Sequence, residues 1–509
     1  MTDLPAPAAT VPPGATYTPT TDDLAAPAPP SRAEWLAAAD GTALDGFLDA
    51  LRGLGNPDAD ATVQWLGAHG LSGRAREFFA RLATDPMLED ARRAPALPDA
   101  LAELDRDPAF SPLVAHLRTR LRLCPTCGAV RRLPWVDRAA VLAGQRAFMT
   151  RMLPSVLVLL CKSLPEGYGA PSMAQVLNLS GELARRPYHR LMGTLQLLVT
   201  VCTPGTFEGP HYPALVAAEQ MRLLHAAVRS TVAPRVTEPI RSPIEWVHES
   251  LGGPEHEVWP GYARFTHPAD GLPRVPINLE DMLGTIIGFS LLVVDGLETL
   301  GLAFAPADAA AYYEVWREFG VLMGIYPPGR PEDPGYMPPD LESARAFYAA
   351  YRRRNYVGPE RVGEATREAA RRANPAGYVL ATSHAHMLGH LLQAATHTAW
   401  IPEGWWTRVP RFYIRLLTGE AAYARLGLPD DAVHGLLRLL LRDLPRAWAR
   451  LMGRADPGVH AALSRWFLDG LVREVYGRPL AYPVPSTVED LRRLVQDAPG
   501  RTPGGVQVR

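Results

Sequence analysis

Apolar residues recur at i, i+3, i+4 and i+7 through most of the chain, the spacing of helices that each bury one face. Clear segments are 139–164, 173–183, 188–201, 217–232, 279–302, 309–325, 378–400, 432–452 and 458–475. Pro and Gly interrupt them at 165–171, 204–213 and 327–339, which read as loops. Alternating β-branched runs are nearly absent, and 257–265 is the single stretch that reads as a short strand or hairpin arm. No period of roughly 20 to 50 residues repeats, which argues against a solenoid. The expected fold is all-α, built around one large helical domain.

Residues 1–30, rich in Pro, Ala and Thr, read as a disordered tail. They lack the basic start and apolar stretch of a signal peptide. A helical N-terminal region over 31–130, a large helical domain over 131–480 and a C-terminal extension over 481–509 complete the expected organisation. The 47% hydrophobic content excludes disorder of the whole chain. A net charge of −1 provides no long-range field for nucleic acid or anionic membrane. Four cysteines in 509 residues make no disulfide framework and fit a reducing compartment. The longest apolar run, 282–294, ends at Asp295 and reads as a buried core helix rather than a transmembrane segment. The expectation is a soluble, cytoplasmic protein.

Three groups of residues could carry chemistry. The CPTCG stretch supplies Cys124 and Cys127, half of a zinc ribbon, while Cys161 and Cys202 stand alone in apolar helices. No His follows Cys127, so covalent c-type haem attachment is excluded. His386, His390 and His397 share one helix face with His384 nearby, a spacing that permits a metal, although packed polar histidines are the commoner outcome. HAHMLGH contains no Glu and so fails the metalloprotease pattern.

The third group lies within 155–199. Lys162 is the only lysine in the chain, all other basic side chains being arginine, and it sits in an apolar helical run where an unpaired ammonium is costly. After the loop at 165–171 and another helix, His189 stands near the start of an apolar helix with Arg186 and Arg190 beside it. Haem iron is one centre that uses both side chains, an imidazole on one face and a neutral amine on the other. Arginine cannot replace that amine because it stays protonated. The competing reading is a lysine that snorkels to solvent.

At these positions the chain resembles the rubber oxygenase catalytic-domain family, which includes latex clearing protein and mycophenolic-acid oxygenases. The resemblance rests on LLCKSLPEGYGAP, RRPYHRLMGTLQLLV, QMRLLHAAVR, PINLEDMLGTIIGFSLLVVDGL and RLLTGEAAYARLGLP, in family order over roughly 130–430. It implies a globin-like helical core holding non-covalent haem b. It implies His189 as the proximal iron ligand and Lys162 as a distal ligand that leaves to admit dioxygen, with Ser163 beside it where the family has Thr. Arg186, His225 and Arg229 match basic positions that hold haem or its propionates. Asn278, Glu280, Asp281 and Asp295 match a polar motif that reads as structural. Two departures stand out. The rubber-cleaving members carry a catalytic glutamate before the lysine, but no acid lies between Asp137 and Glu166, and Gln145 occupies that stretch. Gly193 replaces a charged residue.

The leading expectation is a haem-dependent oxygenase using dioxygen on an apolar, lipid-like substrate such as an isoprenoid or other alkene. The alternatives are a non-catalytic haem sensor or carrier with Lys162 locked on iron, and a helical scaffold or metal protein without haem.

Overall fold

The computed structural model describes residues 26–82, 95–121, 123, 130, 133–179, 187–208, 211–232, 275–356, 364–395, 398, 400–430 and 443. The expected strand at 257–265, the helices at 432–452 and 458–475, Arg186, His397, Cys124 and Cys127 lie outside them. The described residues are helical apart from their connections and contain no strand, only an isolated bridge between Leu123 and Val130.

The N-terminal region forms α1 (Arg32–Ala37), α2 (Asp45–Gly53), α3 (Pro57–Ala68), α4 (Ser72–Leu82), α5 (Leu97–Leu104) and α6 (Ser111–Arg120). It is followed by α7 (Arg138–Thr150), α8 (Met152–Val158), a π-helical turn (Leu159–Ser163), α9 (Leu164–Tyr168) and α10 (Pro171–Leu179). Then come α11 (Pro187–Cys202), α12 (Pro213–Val232), α13 (Leu279–Phe289), α14 (Leu291–Thr299), α15 (Pro306–Leu322) and α16 (Leu341–Asn355). The last described helices are α17 (Glu364–Ala373), α18 (Pro375–Ala395), α19 (Glu403–Thr418) and α20 (Glu420–Arg425).

Three expected segments change shape. The helix expected over 139–164 bends by 85° between α7 and α8. Pro154, in the first turn of α8, cannot donate a backbone hydrogen bond and crowds the carbonyl four residues back, so the helix restarts at Met152. The segment expected over 279–302 breaks at Ser290, whose hydroxyl donates to the Ile286 carbonyl at 2.8 Å. Such back-bonding bends helices. The loop expected at 165–171 is mostly helix, because Pro165 occupies the start of α9, where its missing N–H costs nothing.

Leu279–Thr299 is long and apolar enough to cross a membrane, beyond what the run 282–294 suggested, yet 78% of its apolar window is buried within the protein. It packs with α15, α16 and the π turn. Helices α7 and α15 pack together, and Gly144 permits their close approach, since a Cβ there would overlap the Ala311 carbonyl. Beside this crossing Phe289 stacks on Trp316 at 4.9 Å.

The N-terminal helices share this core: one buried apolar cluster runs from Trp35 to Leu428. Helix α3 packs on α12, where Arg222 is fully buried. Its guanidinium donates to Glu219 at 2.7 Å, to Asn56 Oδ1 at 2.8 Å and to the Tyr326 hydroxyl at 3.1 Å. Tyr326 donates in turn to Asp58 at 2.8 Å. Burial alone would raise the Glu219 carboxyl, but Arg222, His116 and Arg120 hold it well below the usual range.

Candidate active site

The segment around Lys162 owes its geometry to the π turn. Widening the helix by one residue redirects a carbonyl from the regular ladder, and such turns occur frequently at functional sites. Here the Leu160 carbonyl accepts from His384 Nε2 at 2.8 Å, reaching across from α18. A carbonyl can only accept, so Nε2 carries the proton and Nδ1 accepts from the Tyr168 hydroxyl at 3.3 Å. Burial pushes the imidazole down to about 4, which makes it neutral near pH 7. His384 therefore clamps the turn to α18 without adding charge. Cys161 is a free, buried thiol pushed up to about 12 by burial, and so is unreactive at neutral pH.

Lys162 points away from this clamp. Its Nζ donates to Glu166 Oε1 at 3.0 Å and to the Leu417 carbonyl at 2.7 Å. Leu417 lies in the last turn of α19, where carbonyls lack intrahelical partners and the helix dipole favours a cation. Glu166 is almost fully buried, and its second oxygen accepts from the Tyr348 hydroxyl at 2.8 Å. Tyr348 also meets the Tyr356 hydroxyl at 2.8 Å, and Arg352 Nε stands 3.9 Å from the same carboxylate oxygen. Gly296 of α14 makes room for the lysine stem: a Cβ there would overlap Val158 and lie 3.2 Å from Lys162 Cδ. Next to Lys162, the Ser163 hydroxyl is buried without a hydrogen-bond partner, as is that of Ser155 two turns earlier.

His189 lies in the first turn of α11, with its side chain outside the described part of the structure. Helix α18 packs on both α9 and α11, so it links the Lys162 and His189 segments. One turn beyond His189, Gly193 has nothing within 4 Å of where a Cβ would stand, and the same holds at buried Gly288 in α13. These openings, together with the buried, unpartnered hydroxyls of Ser155, Ser163 and Thr382, leave room and hydrogen-bonding capacity for a group seated among the helices. The amine side does not fit a ligand to iron in this arrangement. A carboxylate and a carbonyl already take the Lys162 nitrogen as a donor, whereas a ligand to iron would have to turn its lone pair to the metal.

His225 is part-buried on α12, one turn from Arg229. Arg229 engages Asp60 through one nitrogen, the Pro276 carbonyl at 2.9 Å through a second and the Ile277 carbonyl at 2.8 Å through a third. It fastens the left-handed turn at Ile277 (φ 54°) that leads into α13, rather than offering itself to a propionate. Gln145 does not stand in as a reacting group. Its amide nitrogen donates to the Val201 carbonyl at 2.9 Å and to Thr206 at 3.0 Å, and its oxygen accepts from Gly205 N–H at 3.0 Å. It ties off the end of α11.

The polar motif is structural, as its sequence indicates. Asn278 caps α13 by accepting from Asp281 N–H at 2.9 Å, and Glu280 pairs with Arg52 and Arg354. Asp295 pairs with Arg345. His386 and His390 touch at 5.1 Å between ring centroids, and no cluster of three metal-ligating side chains occurs among the described residues.

Sequence reasoning passed over Glu166, Tyr348 and the clamping role of His384. Glu166 had a local signal, four residues after a buried lysine. Tyr348 and Leu417 had none, being far away in the chain.

Comparison with curated proteins gives no match. A solved structure described as "Structure of Latex Clearing Protein LCP in the closed state" is similar at 17% identity, with a TM-score of 0.49, covering 88% of this chain and 90% of that one. Residues 135–497 match the family described as ER-bound oxygenase mpaB/B'/Rubber oxygenase, catalytic domain. That match spans more than half of the sequence, and the chain belongs to this family: it is an oxygenase, an oxidoreductase.

Proposed function

We propose that the protein is a haem b-dependent oxygenase that uses dioxygen on an apolar substrate carrying an isoprenoid or other alkene group. The family match over 135–497 carries this reading. It is supported by an imidazole in the first turn of an apolar helix, with open space one turn away at Gly193. His189 would hold the iron through neutral imidazole nitrogen, and Arg186 and His225 would face the propionates. Bound haem would supply the redox chemistry on dioxygen that side chains cannot.

The remaining work falls to residues of the chain. Apolar side chains of the core would exclude water and orient the double bond. The Ser163 hydroxyl, buried and unpartnered, is placed to donate a hydrogen bond to whatever enters beside the π turn. His384 keeps that turn in register. The free thiols of Cys161 and Cys202 suit a reducing compartment such as the cytoplasm.

Two measurements test this reading. His189→Ala, purified from haem-replete cells, is expected to retain its helicity and lose its haem. The wild-type protein, given an apolar alkene and isotopically labelled dioxygen, is expected to yield a product carrying the label. Full haem content in folded His189→Ala would remove the proximal assignment.

A further inference from the structure

We infer that Glu166 and the C-terminal end of α19 form a built seat for the Lys162 ammonium, so that the resting partner of this lysine is Glu166 and not iron. The inference rests on the haem reading above for its iron, but the seat stands on its own geometry. Two independent features converge on one nitrogen. Glu166 Oε1 lies 3.0 Å away, and the Leu417 carbonyl, at the carbonyl end of a helix sixteen residues long, lies 2.7 Å away. The carboxylate is held from behind. Tyr348 donates to its other oxygen, and Tyr356 lies against Tyr348.

Departure of the lysine would leave a carboxylate with a 1% exposed side chain facing Tyr348 and a guanidinium 3.9 Å away. A buried charge stripped of its close partner is strongly disfavoured. Glu166 is thus a positioning residue acting through Lys162. It keeps the Lys162 nitrogen engaged with a carboxylate and the Leu417 carbonyl, so that the lysine would not have to leave iron before dioxygen enters. The absence of any other lysine makes the arrangement unusually easy to watch.

The test compares wild type, Lys162→Met, Glu166→Gln and the double variant as haem-loaded full chains, by absorption and electron paramagnetic resonance. Wild type is expected to show no amine-ligated low-spin signal, and Lys162→Met to leave the resting spectrum unchanged. Glu166→Gln releases the lysine and is expected to produce such a signal, which the double variant loses. An amine-ligated wild type that changes spectrum in Lys162→Met would overturn the proposal.

A second readout needs no haem. Protein carrying 15N-labelled lysine has one Nζ, expected as an ammonium signal with slowed proton exchange that Glu166→Gln speeds at least tenfold. Equal exchange in the two proteins would also overturn the seat. Folded wild type without haem would remove the proposed function, yet this resonance would still decide the seat.

Discussion

Two buried cations show how differently this chain uses positive charge. At the contact between α3 and α12, Arg222 is fully buried and meets Glu219, Asn56 and Tyr326, while Arg120, His116 and Asp58 complete the surrounding network. The Glu219 and Tyr326 partners are held in turn by His116 and Asp58, Arg222 Nε is left without a partner, and the cluster fastens the N-terminal helices to the family domain. At the π turn the cation is the sole lysine, with one close carboxylate, one carbonyl and an unpartnered serine hydroxyl beside it. Arginine is used where the charge serves only to hold helices together. Lysine appears where the helix is widened and hydroxyls are left without partners. The first cluster joins two helices through several mutually held side chains, whereas the second holds its cation by one carboxylate and one carbonyl.

The largest expected effect breaks the first cluster. Arg222→Ala strands the buried Glu219 carboxylate beside His116 and Arg120, and should lower unfolding free energy by about 3–5 kcal/mol in urea denaturation. A loss below about 1 kcal/mol would mean that the network is not the fastening described.

Acid titration sharpens the comparison from the side of the π turn. His384 sits at about 4 in the folded protein, below its ordinary 6.5, because it is buried. The unfolded chain binds that proton more readily, so stability falls as pH drops from 6.5 towards 4. Asp281 works the other way. Burial first, then neighbouring Glu280, raise it to about 6, so its contribution is present at low pH and is lost as pH rises from 3.8 through 6. The two offset each other in wild type. Asp281→Asn removes one arm, and its stability should drop more steeply than wild type between pH 6.5 and 4, by a difference on the order of 2–3 kcal/mol. Parallel curves would contradict both assignments.

A pair of glycines gives the smallest effects, of opposite sign. Gly144→Ala forces a Cβ onto the Ala311 backbone and should cost roughly 1–3 kcal/mol. Gly193→Ala meets open space in a helix and should stabilise by about 0.5–1 kcal/mol. Thermal melts of the two variants check the contrast, and a destabilised Gly193→Ala would argue that the space beside α11 is already filled.

Much of this was legible in the sequence. The 3.6-residue spacing located α11, α12, α15 and α18 to within a few residues, and the isolation of Lys162 marked the segment that forms the π turn. Pro154 was visible as a breaker, but the period of the surrounding apolar residues concealed the bend it imposes. Ser290 carried no such mark, since its back-bond to Ile286 depends on a rotamer and not on residue type. Pro165 was misread because proline ends a helix in its interior and begins one at the first position. The state of Lys162 was hidden for another reason. One partner, Glu166, lies a helical turn away, but the other is the Leu417 carbonyl at a helix end 255 residues further on. Arg229 and Gln145 looked free for chemistry, yet backbone carbonyls that no pattern of side chains announces had claimed them.

Haem content is the most direct readout of the proposed chemistry. The full-length protein, purified from haem-replete cells and assayed as its pyridine haemochrome, should contain one haem b per chain. A folded, pure preparation with none would contradict it.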